Sequence, residues 1–246
     1  MRFSQAWTIA RHDMGIFRYR RGILIGLMAL PLGVGFGFPL LVAYIVQQAG
    51  GSSVSSYLPT LIDAFSFWFV IGAAILPTAI SSYSIIGEKV EKSLEPLLST
   101  PTTDGEILLG KMLASFIPTI LAVWAGSVLY QGLIDGFTRG ALGYFYFPNW
   151  EMAVILFLLA PLMCLYAVEF SVIVSSRATD ARSAQQYGGI SFFPLIMIYL
   201  AGEIGFLQLD TANLLYISGA FAVLVLALFF ASTRIFQREE ILTRWR

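Results

Sequence analysis

One cysteine, one histidine and charged side chains at only 12% of positions make this 246-residue chain poor in most of the groups that do chemistry. Each scarcity excludes something. A lone Cys164 forms no internal disulfide, and a lone His12 rules out a histidine-rich metal centre. A soluble domain averages about 25% charged residues, so this composition is not that of a water-soluble globule. Lys plus Arg equals Asp plus Glu at 15 each, and no excess of positive charge points to nucleic acid.

What is present is apolar, at 57% of residues. Runs long enough for the about 20 residues of a bilayer crossing fall at 22–46, 63–84, 112–132, 151–175, 189–207 and 212–233. Charge tests that count independently. Six crossings put Arg2, Arg11, Arg18, Arg20, Arg21, Lys89, Lys92, Lys111, Arg177, Arg182, Arg234, Arg238, Arg244 and Arg246 on one side, and only Arg139 on the other. Basic flanks stay in the cytoplasm during insertion, so both termini are expected inside, in an inner or plasma membrane. The fold expected is all-α: a single membrane domain over 1–246 with six transmembrane helices. The first apolar run is too long for the h-region of a cleaved signal and reads as an anchor. No acid–base cluster gathers at membrane depth, which disfavours an intramembrane protease or lipid transferase.

Before the first run, in the cytoplasmic segment 1–21, Phe3, Trp7, Ala10, Met14 and Phe17 recur at spacings of four and three. Gln5, Thr8, Arg11, Asp13 and Arg18 fall on other faces. This pattern predicts an amphipathic helix lying in the membrane interface, or packed on the bundle. The outer link 47–57 is rich in Gly and Ser. The next, Leu133–Trp150, concentrates Tyr144, Phe145, Tyr146, Phe147 and Trp150, an interfacial belt or a lip that touches substrate. Pro31, Pro39, Pro77, Pro118, Pro161 and Pro194 lie inside five of the six runs and are expected to bend them.

The inner segment 87–111 is the most distinctive. Glu88, Glu91 and Glu95 share one helical face, with Val90, Leu94 and Leu97 on another, and Pro101 closes the helix. Thr103 and Glu106 have the spacing of a capping box that opens a second helix. The product is a compact cytoplasmic helix tied at both ends to spans two and three, placed to act as a coupling helix; the alternative is a solvated charged loop. Gly105–Lys111 also imitates a phosphate-cradling G-x-x-x-x-G-K loop. Met112 stands where that loop needs a magnesium-binding hydroxyl, so nucleotide binding is not expected here.

This segment resembles the permease subunits of ATP-binding-cassette exporters of the second permease class, the type V exporter fold. The resemblance rests on Glu88, Glu91, Ser93, Leu94, Glu95, Leu97, Leu98, Ser99, Thr100, Pro101, Glu106, Gly110 and Lys111. The loop 175–186 and the cytoplasmic tail 234–246 are similar to that family's as well. It implies a permease with no catalytic or cofactor site of its own, in which Glu88, Glu91, Leu94, Glu95, Leu97, Leu98 and Pro101 dock a cytoplasmic ATPase. Two ATPase copies would bind ATP and Mg, and a second permease copy, identical or related, would complete the membrane domain. One departure is the short link between spans five and six, with no room for the helical insertions of larger members.

Within the spans, Glu169 is a carboxylate at membrane depth, and Ser81 and Ser82 sit at the inner end of the second span. Each is a candidate for the substrate path. The bland alternatives are a salt bridge from Glu169 to Arg177 or Arg182, and serines that bond across helices. Asp63, Glu151 and Glu203 fall near outer ends, where exposure is cheap. The expected function is export of a hydrophobic or amphiphilic molecule. The alternative is a non-transporting subunit doing mechanical work on a cell-surface or cofactor-assembly partner.

Overall fold

With no water in a bilayer core to satisfy backbone N–H and C=O groups, apolar runs of this length must close their hydrogen bonds internally. The structure, a computed structural model, describes residues 2–19, 21–49, 55–90, 103–177 and 186–235, and every regular element among them is helical. In chain order these are α1 (Phe3–Tyr19), α2 (Arg21–Ala49), α3 (Leu58–Ser66), α4 (Trp68–Val90), α5 (Asp104–Leu142) and α6 (Trp150–Val154). There follow a π-helical turn (Ile155–Leu159), α7 (Ala160–Arg177), a 3-10 turn (Ile190–Phe192), α8 (Phe193–Glu203) and α9 (Thr211–Ile235).

Five stretches among the described residues are long and apolar enough to cross a membrane: Gly22–Gln48, Leu58–Thr78, Gly105–Leu142, Trp150–Val174 and Thr211–Ser232. The chain is an all-α, multi-pass membrane protein. The run at 189–207 is instead assembled from pieces: helical residues 186–189, the 3-10 turn, and α8 with 11 residues. Pro194 sits in the opening turn of α8, where its missing N–H breaks no helical bond, and Gly205 at φ +74° follows the end of the helix.

Prolines divide into two kinds. Pro31, Pro39, Pro77 and Pro118 lie inside helices. Pro161, expected in a helix interior, comes second in α7, directly after the π-helical turn. There the Ala160 N–H reaches back to the Ile155 carbonyl. In that i→i+5 register the donor for the Leu156 carbonyl would be Pro161, which has none. Trp124 of α5 supplies it: its indole Nε1 donates to the Leu156 oxygen at 3.0 Å.

Backbone proximity fastens α2 to α5. A Cβ added to Gly126 would stand 2.5 Å from the Pro31 oxygen, and one added to Gly35 would stand 2.6 Å from the Gly126 oxygen. Small residues let two membrane helices approach this closely. Tyr130 of α5 donates to the Ile62 carbonyl of α3 at 2.8 Å, and α4 packs along α7, where Ser171 Oγ meets the Thr78 oxygen at 3.4 Å. Phe67, Phe69, Tyr130, Leu159, Met163 and Cys164 fill the core between these helices. Phe36, Leu40 and Tyr44 on α2, and Tyr216, Val223 and Phe230 on α9, remain on the outside, an apolar exterior suited to lipid.

Between α5 and α6 the expected long link shrinks. Although Pro118 lies within it, α5 continues to Leu142, and Gly143 with a φ of +79° ends the helix in the left-handed region. The remaining connection then folds inward. Tyr146 and Phe147 donate their N–H groups to Asp135 Oδ1, and the Tyr146 hydroxyl donates to Asp63 Oδ2 at 2.7 Å. Burial, reinforced by that bond, holds the Tyr146 phenol well above its ordinary pKa. Asp63 is therefore half-buried and hydrogen-bonded rather than simply exposed, and Glu151 accepts from the Thr211 hydroxyl at 2.8 Å. Of the aromatic cluster, Tyr144, Phe145 and Trp150 stay outside while Phe147 is buried.

Candidate functional site

At the end of the bundle where α5 begins, α1 lies against it. Its surface divides in two. Phe3 (66% exposed) and Trp7 face away from the protein, whereas Ala6, Ala10 and Asp13 are buried. Spacings of four and three put those buried residues on one edge of the helix. Ala10 thus leaves the expected lipid-facing stripe, and Asp13 is not on a solvated face.

Close approach explains both. A Cβ on Gly110 would stand 2.8 Å from the Ala6 oxygen and from Ile9 Cβ, so only glycine lets α1 settle here. Beside that contact Lys111 Nζ lies 3.7 Å from Asp13 Oδ2, with both side chains almost fully buried. Exposed His12 Nδ1 stands 3.5 Å from the other carboxylate oxygen of Asp13. Earlier on α5, the Glu106 carboxylate accepts from the Thr103 N–H at 2.9 Å and from the Arg2 N–H at 2.6 Å. Thr103 is extended and α5 starts at Asp104, as a capping box requires. One oxygen of the box therefore reaches across to α1. The string that imitates a phosphate-cradling loop is continuous helix: its glycine admits a neighbouring backbone and its lysine meets a carboxylate.

Of the residues expected to dock an ATPase, Glu91, Leu94, Glu95, Leu97, Leu98 and Pro101 lie outside the described residues. So does the side chain of Glu88, whose backbone belongs to the last turn of α4. What is described is the frame on either side, the helices α4 and α5 that the segment 91–102 joins.

Deeper in the bundle are the polar residues expected on a substrate path. Ser81 on α4 and Glu169 on α7 are each 2% exposed, and Ser81 Oγ and Glu169 Oε2 find no hydrogen-bond partner among the described residues. The side chains of Ser82, Arg177 and Arg182 lie outside the described part. A third group was not singled out from sequence. Ser191, in the 3-10 turn, is 1% exposed, and its Oγ likewise has no partner among the described residues. Serines in such runs commonly bond their own helix, as Ser115, Ser127 and Ser218 do, so nothing in the sequence set Ser191 apart.

Residues 7–232 match the family described as ABC-2 family transporter protein. A protein of Pseudomonas aeruginosa, described as a probable ABC transporter permease protein, NosY, is 29% identical over 205 residues, covering 79% of this chain and 68% of that relative. The family match starts within α1 and ends near the close of α9, so it takes in the α1–α5 junction and the buried polar groups of α4 and α7. On the strength of that match and its apolar helices, this chain belongs to the ABC-2 family of transporter proteins.

Proposed function

We propose that this chain, a membrane permease subunit of an ABC transporter, exports a hydrophobic or amphiphilic molecule. ATP hydrolysis takes place in a separate ATPase, which supplies the nucleotide and magnesium sites. Two ATPase copies act on two permease copies, identical or related. The chain passes the membrane six times, counting the broken run at 189–207, with both termini in the cytoplasm. The segment 87–101 enters a cleft on the ATPase through Glu88, Glu91, Leu94, Glu95, Leu97, Leu98 and Pro101. Substrate moves outward past Ser81, Ser82 and Glu169.

The observation that carries this reading is the family match over nearly the whole chain. The frame of the coupling segment agrees with it. Segment 91–102 runs from the end of α4 to the start of α5, so a partner pressing on it acts on both helices at once. The Asp13–Lys111 pair extends that grip to α1. Nucleotide binding that favours one arrangement of the ATPases then shifts a two-state membrane domain, by as much as it discriminates between the states.

Replacing Glu91 and Glu95 with lysine tests the docking. The variant is expected to insert normally and to lose its ATPase during purification; undiminished co-purification would overturn this assignment. ATP-dependent outward flux in proteoliposomes that carry both subunits tests the export itself.

A further inference from the structure

We propose that Glu169 and Ser191 frame a binding site for the cationic ammonium head of an amphiphile, within the membrane and between α7 and the start of α8. Three observations lead there.

Both side chains are almost wholly buried, and each keeps a polar oxygen that hydrogen-bonds to nothing among the described residues. An ionised carboxylate in such surroundings needs a compensating cation, and an unpaired buried oxygen is costly in itself.

The two groups lie at one depth. Ser171 of α7 touches Thr78 of α4, and Tyr199 of α8 stacks on Phe67 and receives the Trp68 indole N–H. These contacts set the register of α7 and α8 against α4. Glu169, two residues before Ser171, stands level with Leu76 in that register. Ser191 lies eight residues from Tyr199, toward the end where α4 finishes. A rise of about 1.5 Å per residue brings it level with Ile75 and Leu76 too. The 3-10 turn that carries Ser191 packs against both α4 and α7.

The free groups at this depth are mostly acceptors. Pro77 has no N–H, so the Ala73 carbonyl of α4 lacks its helical donor at the same level. The ionised form of Glu169 that a bound ammonium would hold accepts only, and a serine oxygen accepts readily. An ammonium group brings three donors and a positive charge, and an alkyl tail suits the apolar surroundings, with Val168, Val172 and Leu195 buried on α7 and α8. A neutral alcohol of the same length brings no charge and a single donor.

This inference deepens the permease reading and rests on it for the purpose of the site, while the binding is measured at Glu169 itself. The full-length chain in lipid nanodiscs at neutral pH is treated with dicyclohexylcarbodiimide, and the peptide containing Glu169 is followed by mass spectrometry. The carboxyl adds across a C=N bond of the reagent and its proton passes to nitrogen, so nothing leaves and the peptide gains the whole reagent mass. The expected result is an adduct at Glu169 that dodecylammonium suppresses and dodecanol does not. E169Q should give no adduct at that peptide. S191A should still form the adduct and should need several-fold more dodecylammonium for the same protection.

An adduct that neither compound suppresses, or that both suppress equally, overturns the proposal, because the carboxyl is then buried without selecting a cation. Absence of the adduct in the unaltered chain also overturns it, since Glu169 is then closed off or held by an arginine. Unchanged protection in S191A overturns the shared site. Failure of the unaltered chain to co-purify with an ATPase or to support ATP-dependent flux would count against the permease reading instead, and leaves the protection of Glu169 as it was.

Discussion

Lys111 Nζ stands 3.7 Å from Asp13 Oδ2, and this buried pair fastens α1 to the start of α5. It sits beside Gly110, where the two backbones nearly touch, and just beyond Glu106, which reaches Arg2. An amphipathic segment that sequence places on the membrane surface is thereby joined to the helix that follows segment 91–102.

Breaking the pair from one side should cost far more than removing both charges. Asp13→Ala leaves a buried ammonium short of its carboxylate, and a loss of about 3–5 kcal/mol is expected on thermal unfolding of the purified protein. Asp13→Asn combined with Lys111→Met should recover much of it. A double variant no more stable than the single one would mean that the charges are not coupled.

Gly126→Val should force α2 and α5 apart. The new side chain meets the Pro31 backbone, which cannot swing aside as a side-chain tip does. Overpacking of this kind costs about 1–3 kcal/mol or more. Gly132, on the same helix with open space around its Cα, is the control. Gly132→Val should change the unfolding temperature much less.

Trp124→Phe keeps the ring and removes the indole donor from the Leu156 carbonyl. That carbonyl cannot turn to Pro161, so a buried acceptor goes unsatisfied at a cost of about 1–3 kcal/mol. Restoring a backbone donor with Pro161→Ala should offset part of the loss. If Trp124→Phe is equally harmful with and without Pro161, the compensation is not the one described.

Tyr146→Phe removes a hydrogen bond from half-buried Asp63 and unfastens the link between α5 and α6. Proteolysis in the 143–149 connection should quicken, with a stability loss of about 1–2 kcal/mol. An unchanged digestion rate would show that the Asp135 contacts alone hold this loop.

These contacts mark the limit of what the linear pattern reveals. Apolar run length made the membrane class and the helical fold legible, since a chain in lipid has few other ways to satisfy its backbone. The pair Thr103 and Glu106 marked where α5 begins, because a cap is a local arrangement of residues three apart. Pro161 and Pro194 read as interior prolines, whereas each begins a helix after a local irregularity, one widened and one tightened. Periodicity alone cannot distinguish those cases. The expected Leu133–Trp150 link is helix up to Leu142, because the bilayer length of a span sets no upper limit on a helix that continues into water before Gly143 ends it.

Sequence by itself determined that this is an apolar, helical, multi-pass chain, with an amphipathic start and a charged segment between two of its membrane runs. Those properties follow from periodicity and composition, which neighbours in space do not alter. Tertiary structure alone decided that Asp13 belongs inside, that Gly110 and Gly126 are points of backbone contact, and that Trp124 answers for Pro161. It also decided that Glu169 and Ser191, from different elements, are each buried with an oxygen that has no partner among the described residues. Each of these depends on which helices meet and in what register. That choice is made by close packing between segments far apart in the chain, where local pattern carries no signal.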